Sequence, residues 1–248
     1  MTQDIAAILK EWPYDPERNV RRIIGEDGLP KLQVRQPLGI EQYELTGRPD
    51  GFRPGGEESY LHHYEALQAR AAAEGGAALI LDSDDCAKLR DESVLYYYRY
   101  LLCFQAGEYE QVIRDTERNM RAFALVDACA AKPEDKVASS QYWPYIIRMN
   151  AMARAILAMQ QSDFHLALDI ISEASDRIRN LPDVPTETFS VEKARSLSVL
   201  EEMAKDLSKK RPPTEMQIVK ERLKHAIAAE DYERAAQLRD LLRAMEGA

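Results

Sequence analysis

The chain has 248 residues, 45% of them hydrophobic and 30% charged, with a formal net charge of −9 and a pI near 5.1. That balance excludes a disordered or fibrous chain, and the length fits one domain with small appendages. An excess of carboxylates also weighs against nucleic acid as the direct partner, because binders of a phosphate backbone present a net positive face.

The first residues carry an early acid, Asp4, and an apolar stretch that stops at Leu9, so no secretory signal is expected there. No apolar run approaches the roughly 18 to 20 residues of a membrane span, and no membrane partner is expected. Residues 1–56 are rich in turns. Ten prolines and glycines fall between Pro13 and Gly51 and bracket two short runs, Val20 to Ile24 and Lys31 to Arg35, which read as a β-hairpin. Arg21, Arg22, Arg35, Arg48 and Arg53 alternate with Glu26, Asp27, Glu41, Glu44 and Asp50, the texture of a mixed solvated surface. The stretch Gly47 to Gly56 fits either an ordinary turn or an anion cradle between Arg48 and Arg53. An alternative function, as an anion or small-molecule binder, rests on that second reading.

From residue 57 to 208 the apolar residues recur at intervals of three and four, the helical period. Helices are expected near 57–73, 84–106, 109–130, 144–160, 163–180 and 189–208. Two pairs read as helical hairpins. In the first, Gly107 stops one helix and Glu108-Tyr109 opens the next, with Val112 three positions on. In the second, Ser162-Asp163-Phe164 leads to Ala167, and Ser162 or Asp163 can cap the helix. An acid, an aromatic and a small or β-branched residue at this spacing resemble the turn of tetratricopeptide repeats. The two turns are 55 residues apart and not the repeat's 34, so no regular superhelix is expected.

Tyr96, Tyr97, Tyr98 and Tyr100 fit either the core or a peptide groove. Cys86, Cys103 and Cys129 have no pair at metal-binding or redox spacing and read as core thiols of a reducing, cytoplasmic compartment. His62 and His63 are adjacent and diverge on a helix, while His165 and His225 are isolated, so no metal and no other cofactor is expected. No catalytic constellation can be assembled, and the chain is expected not to be an enzyme.

Lys209 to Pro213 joins a charge run to two prolines and reads as a linker, 209–213, that detaches residues 214–248. Thr214 and Gln217 stand at capping-box spacing. Met216, Val219, Leu223, Ala226 and Ile227 form one apolar stripe, and Tyr232, Ala235, Leu238, Leu242 and Met245 form a second beyond the turn at Ala228 to Asp231. An antiparallel helical hairpin is expected.

The run from Leu223 to Asp240 resembles the UVR motif, the helical hairpin shared by the excision-repair proteins UvrB and UvrC, Clp-type chaperones and the activator of a protein-arginine kinase. The acid pair Glu230-Asp231, Tyr232, Glu233, the paired alanines Ala235-Ala236 and Leu238-Arg239-Asp240 carry that likeness. In that family the hairpin joins proteins. The resemblance therefore implies partner contacts from Leu223, Ala226, Tyr232, Arg234, Ala235, Arg239 and Asp240, with another UVR-containing protein as one class of partner. The competing reading is the last helical pair of the preceding array, because Asp231, Tyr232 and Ala235 repeat its turn logic. With no phosphate loop and no paired-cysteine zinc site, the chain is expected to be a stand-alone adaptor of mainly α fold, with a TPR-like hairpin array, a small β-containing N-terminal segment and a C-terminal hairpin. An accessory role in nucleotide excision repair or in a Clp-type stress system is the alternative.

Overall fold

The structure, a computed structural model, describes residues 4–210 and 215–246. It is mainly helical, with a small antiparallel sheet near the N-terminus. Two compact units are distinguished, Met1–Ala204 and Lys205–Ala248.

In the first unit, a short helix α1 (Ala6–Glu11) precedes strands β1 (Val20–Ile24), β2 (Pro30–Gln36) and β3 (Gly39–Glu44), ordered β1-β2-β3. β2 pairs Lys31 with Glu44 at one end and Gln36 with Gly39 at the other, leaving Pro37-Leu38 as a two-residue turn. The two predicted strands are present. The third escaped the sequence because Gly39, Glu41, Gln42 and Glu44 are poor strand formers, and pairing along β2 overrides them. Leu32 and Val34 of β2, with Tyr43 and Leu45, share one core with Tyr100, Cys103, Val112, Met149 and Ala153. The sheet is thus anchored by the helices that follow it.

Those helices are α2 (Tyr60–Ala73), α3 (Ser83–Gln105), α4 (Tyr109–Cys129), α5 (Pro133–Ser140), α6 (Trp143–Gln160), α7 (Phe164–Arg179) and α8 (Glu187–Lys210), reached after a 3-10 turn at Pro54–Gly56. Neither α1 nor α5 was expected. They have 6 and 8 residues, too short to display an apolar period. The α3–α4 pair is antiparallel, since Glu92 meets Arg118, Ser93 meets Asn119 and Arg99 meets Asp115: as one helix rises the other falls. A second core cluster joins Leu61 and Tyr64 of α2 to Cys86 and Leu89 of α3 and to Ala122, Leu125 and Val126 of α4.

Two buried ion pairs hold this unit together. Arg99 and Asp115, each 1% exposed, form a bidentate pair with both N–O distances 2.7 Å, and Arg99 Nη1 also donates to the carbonyls of Glu44 and Gly47. Glu92, fully buried, accepts from the backbone N–H groups of Tyr60 (2.9 Å) and Leu61 (3.2 Å), which open α2, and pairs with Arg118. A carboxylate there also meets the positive end of the helix dipole. Ser59, the N-cap of α2, accepts from the His62 N–H. In the stretch Gly47 to Gly56, Arg48 lies 2.9 Å from Asp50 and 3.4 Å from Glu92, so two carboxylates stand beside its guanidinium.

Both hairpin turns of this unit follow one template. At the first, Gly107 is left-handed (φ 77°), Gly107 N–H donates to the Phe104 carbonyl and Glu108 N–H to that of Cys103. At the second, Ser162 (φ 62°) donates to Met159 and Asp163 to Ala158. This is the Schellman closure, which satisfies the last carbonyls of the first helix. Small buried residues flank each turn nine positions apart, Cys103 with Val112 and Ala158 with Ala167, so the backbones approach closely. A Cβ on Gly107 would meet nothing within 4 Å, so Gly107→Ala carries only the left-handed penalty. It is expected to lower unfolding free energy by about 1 to 2 kcal/mol in urea titration.

Candidate functional site

Within the second unit, α9 (Glu215–Ala228) and α10 (Tyr232–Glu246) pack together as a hairpin. Lys209 and Lys210 of the expected linker close α8, whereas residues 211–213 and the expected cap Thr214 lie outside the described residues. The turn repeats the template of the first unit. Glu230 is left-handed (φ 56°), Glu230 N–H donates to Ile227 and Asp231 N–H to Ala226, and Asp231 Oδ1 caps α10 by accepting from Arg234 N–H at 3.1 Å. Ala226 and Ala235 stand nine positions apart, like their counterparts.

The hairpin's seam has a simple arithmetic. Ala226 and Ala235 are equidistant from the Glu230-Asp231 turn, and so are Leu223 and Leu238, Val219 and Leu242, and Met216 and Met245. Ala226, Ala235, Val219 and Leu242 are buried and the other four are partly buried. The steps of three and four along each helix are those of a coiled-coil seam. Small alanines lie next to the turn, where the helices are closest, and larger side chains fill the space further out.

Two members of the expected stripes lie elsewhere. Ile227 is 55% exposed and Tyr232 69% exposed. Ile227 has no apolar residue equidistant across the turn, since it faces the register of Arg234, and Tyr232 has only Ala229, itself exposed. Ile218 and Leu241, also exposed, lack such a counterpart as well. That mismatch is the signal by which the sequence distinguishes seam from surface.

Relative to the left-handed residue, Ile227 and Tyr232 hold the positions of Phe104 and Tyr109, whose rings stack edge to face at 5.5 Å in the first hairpin. Tyr109 and Phe164, the counterparts of Tyr232, are both partly covered. The C-terminal hairpin thus shows two apolar side chains beside its turn where the other hairpins cover theirs.

Of the residues expected to meet a partner, Leu223, Ala226 and Ala235 belong to the seam and hold the hairpin shut. Tyr232, Arg234, Arg239 and Asp240 are exposed. Arg239 Nη2 and Asp240 Oδ1 lie 3.2 Å apart as an exposed neighbouring pair. On α9, Lys224 lies 2.6 Å from Glu221 and its ammonium holds that carboxyl below the usual range. Ile227 was read from sequence as a stripe residue and not as a contact.

Among the described residues, no group of three or more His, Cys, Asp or Glu is placed to hold a metal ion. No helix among them is long and apolar enough to cross a membrane. The family model described as the UvrB/uvrC motif, UVR, matches residues 219–248, a range that takes in α10 and most of α9. No curated protein and no solved structure matches the chain.

Proposed function

We propose that, with a UVR motif as its C-terminal hairpin, the chain is a non-enzymatic adaptor that docks this hairpin onto another protein. The motif links the hairpin to UvrB/UvrC-type interactions. The observation that carries the reading is the exposure of Ile227 and Tyr232 beside a turn whose counterparts are covered. A large aromatic with an aliphatic neighbour, rimmed by Arg234, Arg239 and Asp240, has the make-up of an interface centre, apolar within and charged at the edge. The first unit suits a scaffold, since its buried carboxylates Glu92 and Asp115 are both engaged by guanidinium groups.

The partner we favour is a second UVR-containing protein, because a helical hairpin offers a face of matching length and period. Nucleic acid is not its direct partner in this reading, and the acidic net charge supports that. An accessory role in excision repair follows if the partner proves to be of the UvrB or UvrC type.

Calorimetric titration of the full chain against a purified UVR-containing protein tests this. Tyr232→Ser and Ile227→Ser are each expected to weaken binding roughly 30-fold, the usual effect of truncating an anchor worth about 2 kcal/mol. Equal affinity of both variants and the parent would sink the assignment of the surface. Unchanged binding after removal of residues 214–248 would sink the role of the hairpin.

A further inference from the structure

A cleft of about 390 Å³ opens in the first unit between α3, α4, α5, α6 and α8. Tyr97, Tyr98, Tyr142, Tyr145 and Phe123 supply aromatic walls, and Glu192 of α8 reaches the lining. Tyr98 and Tyr142 stand at the rim, 49% and 43% exposed, beside Val94 at 42%.

One polar group of this lining, the Glu192 carboxylate, has incomplete hydrogen bonding. Six buried side-chain polar atoms among the described residues have no hydrogen-bond partner, and three of them are Arg148 Nε, Glu192 Oε2 and Ser196 Oγ. Arg148 Nη2 lies 3.7 Å from Glu192 Oε2, an ion pair without a hydrogen bond, and Ser196 follows Glu192 by one helical turn. Buried polar groups are normally satisfied, and of these three Glu192 Oε2 belongs to a residue that lines the cleft, where a bound donor completes its hydrogen bonding.

Charge narrows the class of ligand. Glu192 is balanced by Arg148, and Arg90 adds a cation at the lining, so the site offers no net attraction for an ammonium or guanidinium group. Burial pushes the hydroxyls of Tyr100 and Tyr145 well above the usual phenol range, so these walls stay neutral. A carboxylate acceptor in the lining suits an uncharged group that donates a hydrogen bond, and the ring walls suit a flat apolar body. The volume lies near the lower end for ligand sites and fits one substituted ring better than a nucleotide.

The geometry points to a binding site for an uncharged aromatic ring bearing a hydroxyl group, a phenol, with its ring among Tyr97, Tyr98 and Tyr145 and its hydroxyl toward Glu192. A free phenolic molecule and a tyrosine side chain of a partner share this chemistry.

Titration of the full chain with p-cresol, toluene and benzylamine, read by Trp143 fluorescence and by calorimetry, tests the site. Trp143 is a suitable reporter because its ring lies 5.7 Å from that of Phe123 in the wall. Saturable binding of p-cresol is expected, with toluene about 10-fold weaker or more, as for a site whose polar groups would be left unpaired. Val94→Trp at the mouth is expected to abolish binding while leaving the melting temperature unchanged. Because Glu192→Gln disturbs the Arg148 pair and can unfold the chain, the mouth variant is the decisive one. N-acetyl-tyrosinamide binding more tightly than p-cresol assigns the site to a partner's tyrosine, and weaker binding assigns it to a free phenol. Equal affinity for toluene, stronger binding of benzylamine, no saturation with p-cresol, or full binding by the folded Val94→Trp protein would each overturn the proposal.

Discussion

Replacing Asp115 by alanine is expected to lower the unfolding free energy by about 3 to 5 kcal/mol, because it leaves the Arg99 guanidinium buried at 1% exposure without its anion. The magnitude comes from desolvation. A guanidinium removed from water needs its carboxylate, and Asp115 supplies both oxygens of the bidentate pair. Urea denaturation of three proteins separates the terms. Asp115→Ala should be the least stable, and Arg99→Met less affected, since Asp115 then retains Gln111 Nε2 at 3.0 Å. The double variant Arg99→Met/Asp115→Leu should recover much of the loss, because an apolar pair removes both desolvation costs. Full recovery is not expected: Arg99 Nη1 also serves the carbonyls of Glu44 and Gly47, which lose their donor in any variant without Arg99. A double variant no more stable than Asp115→Ala would show that the pair matters for shape and not for charge.

A second large effect is expected at Glu92. Glu92→Ala deprives the Tyr60 and Leu61 N–H groups of their acceptor and strands the Arg118 guanidinium, itself only 5% exposed. The charge term alone is worth about 3 to 5 kcal/mol and the lost cap about 1 more. The loss should also be local in character. α2 is tied to α3 by this carboxylate, so its amides should exchange with solvent far sooner than those of α3 in the same variant. Uniform loss of protection across α2 and α3 would mean that the Leu61 and Tyr64 packing, and not Glu92, holds α2 in place.

Most helices were legible because their apolar residues keep the 3.6 period over three turns or more, and the first turn was legible because Gly107 is a glycine. Ser162 and Glu230 adopt the same left-handed conformation without announcing it, since neither residue type favours it. The third strand was hidden by residues that only pairing makes extended. The buried ion pairs were hidden for another reason: partners 16 and 26 positions apart look like ordinary surface charges until the hairpin folds. At the C-terminal site, the motif and the seam were visible, but Ile227 and Tyr232 were assigned to the seam because a stripe records direction only coarsely. Distance from the turn resolves Ile227, whose counterpart is Arg234.

The fixed interval of nine positions across each of the three turns also limits where this chain can tolerate insertions. One extra residue between Ala226 and Ala235 would rotate everything after it by about 100° and carry Leu238, Leu242 and Met245 out of register at once. The same holds between Cys103 and Val112 and between Ala158 and Ala167. A peptide tag or an added loop therefore belongs in the stretches that join one hairpin to the next, such as 181–185, where length can change without unthreading a seam.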